Sequence, residues 1–168
     1  MRRSAAAAGS ALFFAIAPGL VAGVAPWAIV RWDRSGVPHW GAPEIAGAFL
    51  TALAAAFLVS AFVRFVMEGA GTPAPVAPTE TLVVGGLYRH VRNPMYVAVL
   101  ACIAGQALLF RAPALLAYAA LAAVVMAAFV KLYEEPVLRR RYGARYEAYR
   151  RAVPGWLPRL TPARLPPS

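Results

Sequence analysis

The chain is short of the residues from which most polar sites are built. It has a single cysteine, Cys102, and two histidines, His39 and His90, so no disulfide can close and no Cys/His metal site can be assembled. Acidic residues are also scarce: 7 Asp+Glu stand against 17 Lys+Arg, a balance of +10. Charged residues of both signs make up only 14% of the chain, where a soluble domain carries about 25%. No dinucleotide fingerprint is present, because Gly69-Ala70-Gly71 runs directly into Thr72-Pro73 outside any strand-turn-helix context.

What is abundant is apolar. Hydrophobic residues make up 61% and the mean hydropathy is +0.59, the profile of a membrane protein. Four uncharged runs stand out: 4–30, 45–63, 93–110 and 112–130, of 27, 19, 18 and 19 residues. Each can cross a hydrocarbon core, which needs about 20 helical residues. The expected fold is therefore an all-α integral membrane protein, one membrane domain with four transmembrane helices at about 8–30, 45–65, 94–110 and 113–133. The first run is longer than the roughly 7–15 apolar residues of a signal-peptide core, so it is expected to remain as a span.

The bases give the orientation. Four spans place both termini and the connection between the second and third helices on one side. That side holds 14 of the 17 bases; only Arg31, Arg34 and Arg111 lie on the other. The positive-inside rule makes the richer side cytoplasmic, in the cell membrane. His39 and His90 then fall on opposite sides. Most of the positive charge is accounted for by lipid headgroups, and nucleic acid is not needed as a partner.

Between the first two spans, RWDRSGVPHWGAPE (31–44) reads as an outer interfacial loop, with Trp32 and Trp40 at the level of an aromatic belt. EGAGTPAPVAPTE (68–80) has three prolines in six residues and reads as extended backbone, either a strap over the cytoplasmic face or a stiff linker. TLVVGGLYRHVRNPMY (81–96) leads into the third span. Asn93-Pro94 is a helix start, with Asn at the cap and Pro in the first turn. Interfacial anchoring accounts for part of Tyr88, Arg89, His90 and Arg92.

The third and fourth spans, joined by about three residues around Arg111 and Pro113, form a tight hairpin. Its cytoplasmic ends, Asn93 with Tyr96 and Glu134 with Glu135, are brought to one depth. Three readings of Glu134 and Glu135 are open. Pro136 starts a new helix whose N-terminus favours them, or they pair with nearby arginines, or they face Arg92 and Tyr96 and hold a polar ligand. In EEPVLRRRYGARYEAYRRAVPGWLPR (134–159), Leu138, Tyr142, Tyr146, Tyr149 and Val153 form one helical stripe among arginines. This predicts a C-terminal basic amphipathic helix on the anionic cytoplasmic leaflet, bent at Gly143.

TLVVGGLYRHVRNPMY, an apolar hairpin and EEPVLRRRYGARYEAYRRAVPGWLPR together resemble the membrane methyltransferases grouped with isoprenylcysteine carboxyl methyltransferase and the phospholipid N-methyltransferases. The similarity covers about residues 68–159. It implies S-adenosylmethionine as cofactor, with no metal, and methyl transfer to a lipophilic or lipid-modified acceptor at the cytoplasmic membrane boundary. It implies a cofactor pocket lined by the segment holding Leu82, Val83 and Tyr88, by Arg92-Asn93-Pro94-Met95-Tyr96, and by Glu134 with Glu135. Arg92 suits the cofactor's carboxylate, a glutamate its ammonium or ribose, and Tyr88 or Tyr96 its sulfonium. Where better-known members have His, this chain has Asn93, which positions by hydrogen bonding but carries no proton charge. No catalytic acid or base is assigned. Two other readings are an NADPH-dependent membrane reductase of related helical core and a non-enzymatic lipid- or partner-binding protein.

Overall fold

A computed structural model describes residues 16–32, 40–69 and 81–164. The start of the first expected span, His39 and its neighbours, and the proline-rich segment from residue 70 to 80 lie outside the described residues. Among the described residues every regular element is a helix. They are α1 (Ile16–Trp32), α2 (Ala42–Gly69), α3 (Pro94–Leu109), α4 (Pro113–Phe129) and α5 (Glu135–Ala152), with a 3₁₀ turn at Gly86–Arg89. Two helical stretches are long and apolar enough to cross a bilayer, Ala42–Glu68 and the continuous Pro113–Ala152. Ile16–Trp32 and Pro94–Leu109 are shorter apolar helices.

The chain divides into two compact units. One contains residues 14–59 and 95–126, and its core gathers Leu58, Val99, Ile103 and Leu115. In this unit α2 and α3 approach so closely that only glycine fits at the crossing. A Cβ on Gly47 would lie 2.6 Å from the Gly105 carbonyl, and one on Gly105 would lie 2.4 Å from Thr51 Oγ1. Small residues at such a crossing let two helix backbones meet where lipid provides no hydrophobic drive.

A proline explains another feature of this unit. Pro26 is buried and has no N–H, so it cannot serve the carbonyl at Ala22 in an α pattern or at Val21 in a π pattern. The helix widens to π geometry over Leu20–Val24, and two side chains supply the missing donors: Gln106 Nε2 donates to Ala22 O at 2.7 Å and Tyr118 Oη to Val21 O at 3.0 Å. Glu44, fully buried in the first turn of α2, pairs with Arg111 in the α3–α4 turn. That turn is the three-residue connection expected, with Arg111 at φ +48°. The outward surfaces are apolar: Phe49 and Phe57 on α2 and Leu121, Val124 and Val125 on α4 are exposed, as lipid contact requires.

The other unit contains, among the described residues, 60–69, 81–94 and 127–164. Here the helix does not restart at Pro136. It runs on from α4 through a π turn at Val130–Glu134 and into α5, with Glu134 and Glu135 in helical conformation. The reading of Glu134 and Glu135 as caps of a fresh helix is thus corrected. Pro136 removes the donor for Leu132, and the wider turn absorbs the defect without ending the helix. α5 bends at Gly143 (φ +51°), as its sequence predicts. The stripe has a different use from the one expected. Tyr146, Tyr149 and Val153 are buried in protein, with both hydroxyls hydrogen-bonded inside the unit, so their apolar face is not offered to the bilayer. Arg140, Arg141, Arg145, Arg150 and Arg151 remain exposed.

Candidate functional site

The segment 81–93 is held from two sides. Glu68, at the end of α2, binds it from one side: its main-chain carbonyl accepts from Thr81 Oγ1 (2.6 Å) and its Oε2 from the Gly85 N–H (3.0 Å). Its Oε1 accepts from Arg64 Nη1 at 3.0 Å, one turn earlier on the same helix. A Cβ on Gly85 would lie 2.1 Å from Glu68 Oε1, so a side chain there would push the carboxylate out of its place. Gly86 sits at φ +55°, a left-handed conformation that opens the 3₁₀ turn and is strained for any side chain. Tyr88, buried in that turn, tilts against Phe65 of α2 with ring centroids 6.4 Å apart.

From the other side comes the extended chain after α5. Residues 153–163 run alongside 89–93 and exchange hydrogen bonds with them. Arg92 N donates to Pro154 O (2.8 Å), Asn93 N to Gly155 O (3.3 Å), Arg159 N to His90 O (3.0 Å) and Ala163 N to Arg89 O (2.9 Å). Side chains reinforce the pairing. Arg89 Nε donates to Ala163 O at 3.0 Å and Asn93 Nδ2 to Gly155 O at 3.0 Å. His90 Nδ1 lies 2.8 Å from Arg159 O, a contact that needs the ring proton on Nδ1. Tyr149 Oη donates to Tyr88 O at 2.7 Å.

Arg92 is the hub. Its Nη1 donates to Glu135 Oε1 (2.7 Å) and Tyr146 Oη (3.1 Å), and its Nε to Val153 O (3.1 Å). The Arg92 and Glu135 side chains are only 15% and 18% exposed. Burial opposes the Arg92 charge, but the bonds to Glu135 and Tyr146 outweigh it and hold the guanidinium above its ordinary value. Burial, reinforced by the Glu135 charge, raises the Tyr146 hydroxyl, and burial raises Tyr149 against the opposing charge of Arg92. Glu135 also lies 3.9 Å from Arg139, so the reading that it pairs with nearby arginines is realised, with Arg92 and with Arg139 of its own helix.

Of the residues predicted from sequence, Leu82, Val83, Tyr88, Arg92, Asn93, Pro94, Glu134 and Glu135 all belong to this unit, whereas Tyr96, in the first turn of α3, belongs to the other. Leu82, Val83, Tyr88 and Asn93 are buried. Sequence reasoning missed Arg64, Glu68, Gly85 and the strap 153–163. The Gly-Gly pair after an apolar run was the available sign of a close approach, and the prolines at 154 and 158 were the sign of an extended strap.

Arranged in this way, the unit offers a glycine-lined backbone beside the half-exposed Arg64–Glu68 pair, and a polar cluster centred on Arg92. These side chains present charged donors and acceptors suited to a polar ligand. Comparison with known families returns the phospholipid methyltransferase family, whose pattern matches residues 42–145, more than half of the chain. No curated protein and no solved structure matches the chain.

Proposed function

The chain belongs to the phospholipid methyltransferase family, and from that premise we propose that it transfers a methyl group from S-adenosylmethionine to a lipophilic acceptor at the cytoplasmic boundary of the cell membrane. In this reading it crosses the bilayer four times with both termini in the cytoplasm. The arginine face of α5 meets anionic headgroups, each basic residue near the surface adding about 1 kcal/mol. Such a pocket accepts a substrate that enters sideways from lipid.

The observation that carries the reading is the convergence of 81–93, α5 and the strap into one hydrogen-bonded unit, on the residues the family resemblance singles out. The residues fit the cofactor by their donor set, with Glu68 packed against Gly85 and Arg64 against Gly86. When bound, S-adenosylmethionine supplies an activated methyl on a sulfonium. The protein has to align donor and acceptor and exclude water, and alignment is worth roughly 7–11 kcal/mol in ideal cases. The segment 82–93 and Glu134 are the parts of this chain that would hold the cofactor. Arg92, Tyr146 and the strap keep that segment in place, and Asn93 positions it through Gly155 without exchanging a proton. Glu135 acts through Arg92.

The test is calorimetric titration of S-adenosylhomocysteine into the detergent-purified chain, followed by transfer of labelled methyl to extracted lipids and isoprenoid thioether carboxylates. Saturable binding with label in a lipid fraction supports the proposal. Binding of NADPH in its place would overturn it in favour of a reductase, and binding of neither in favour of a non-catalytic role.

A further inference from the structure

The amino-acid end of the methyl donor carries a carboxylate and an ammonium on one carbon. A site that recognises both needs a cation and an anion side by side, fixed in place and open to the ligand. Arg92 does not meet that description. Its Nε and Nη1 are committed to Val153, Glu135 and Tyr146, and a ligand carboxylate that drew it away would leave Glu135 enclosed without its partner.

Arg64 and Glu68 do meet it. They lie 3.0 Å apart on one face of the last turns of α2, with side chains 51% and 31% exposed. Exposed pairs of this spacing are ordinarily mobile and nearly neutral in energy. This one is fixed: Glu68 Oε2 is held by the Gly85 N–H, and the Glu68 carbonyl by Thr81. The Arg64 guanidinium lies over Gly86, where a Cβ would stand 3.1 Å from Nε and 3.7 Å from Nη2. Without side chains at 85 and 86, both charged groups pack against the backbone there and still keep 51% and 31% of their side-chain surface exposed. Among the described residues Arg64 makes its one ion pair through Nη1, and a guanidinium has further donors suited to a carboxylate.

Resting on the cofactor reading above, we infer that the Arg64–Glu68 pair beside Gly85-Gly86 is the subsite for the zwitterionic amino-acid end of the cofactor, with Arg64 taking its carboxylate and Glu68 its ammonium. Fixed in advance by the loop, the pair meets the ligand with little ordering left to do.

The experiment compares two ligands that share the adenosine thioether and differ in the amino-acid end: S-adenosylhomocysteine, which has it, and 5′-methylthioadenosine, which lacks it. Each is titrated into the full-length wild type and into Arg64→Ala. The expected result is that wild type prefers S-adenosylhomocysteine, and that Arg64→Ala weakens it roughly 10- to 100-fold, the range of a charge-assisted hydrogen bond, while 5′-methylthioadenosine binds as before. Unchanged binding of the thioether also shows the variant to be folded. Undiminished affinity for S-adenosylhomocysteine, or an equal loss for both ligands, overturns the subsite while leaving the cofactor reading standing. Failure of wild type to bind either ligand overturns both.

Discussion

The Arg92 guanidinium reaches Glu135 at 2.7 Å across 43 residues of sequence, and the same nitrogen donates to Tyr146. The pair ties the entry of α3 to the start of α5. Removing Arg92 leaves the enclosed Glu135 with only the more distant Arg139 as counter-charge, and removing Glu135 takes from Arg92 the carboxylate it pairs with. Arg92→Ala is therefore expected to lower the unfolding free energy by about 2–3 kcal/mol, somewhat below the cost for a wholly buried pair because both side chains keep some solvent contact. Glu135→Gln, which keeps an acceptor for Arg92, should lose less. A double-mutant cycle read by chemical unfolding in detergent gives the coupling, and additive single effects would show that the two groups do not act as a unit.

Asn93 donates from its side chain to Gly155 O, where better-known relatives carry an ionisable His. Asn93→Ala should destabilise by about 1–2 kcal/mol, as expected for a buried carbonyl left short of a donor. The shape of the pH profile for methyl transfer should not change, because no proton is held at this position. A profile that shifts on substitution would contradict the positioning role.

Gln106 and Tyr118 each supply a donor to a carbonyl beside the defect made by Pro26. Gln106→Leu and Tyr118→Phe are each expected to reduce stability by about 1–2 kcal/mol. If Pro26 is replaced by Ala, the helix can serve its own carbonyls and the cost of both substitutions should shrink. Melting temperatures of the three singles and the two doubles decide the matter.

Tyr149 is buried, and its hydroxyl donates to Tyr88 O. Burial raises its titration above the ordinary tyrosine value, and that of Tyr146 likewise. A group whose titration is raised in the folded state adds stability that is whole below the unfolded value, about pH 10, and is lost as pH climbs through the folded one. Unfolding free energy should therefore hold steady between pH 8 and 9.5 and fall above about pH 10. Tyr149→Phe should be less stable at neutral pH but fall less steeply in alkali, which denaturation at a series of pH values would show.

Much of the molecule was legible before folding. The apolar runs forecast the helices because burial and backbone satisfaction depend on local composition and period. Asn93-Pro94 marked the start of α3, Gly143 marked the bend in α5, and 110–112 the tight turn, because proline, glycine and short connections restrict the backbone wherever they occur. The spacing of Tyr142, Tyr146, Tyr149 and Val153 marked one helical face, and Glu135 was among the residues placed toward Arg92.

Three-dimensional packing decided what those features serve. Periodicity shows that Tyr146 and Tyr149 share a face, but not whether that face meets lipid or residues 88–92. Sequence shows Pro136, but not whether the helix stops there or widens and continues. The strap 153–163 has no periodic signal, because its hydrogen bonds go to a segment 61 to 74 residues earlier. The Arg64–Glu68 pair was readable as an i, i+4 contact, but its place against Gly85-Gly86 was not. Composition and spacing are properties of neighbouring residues, whereas these pairings join distant ones and exist only when the whole unit has closed.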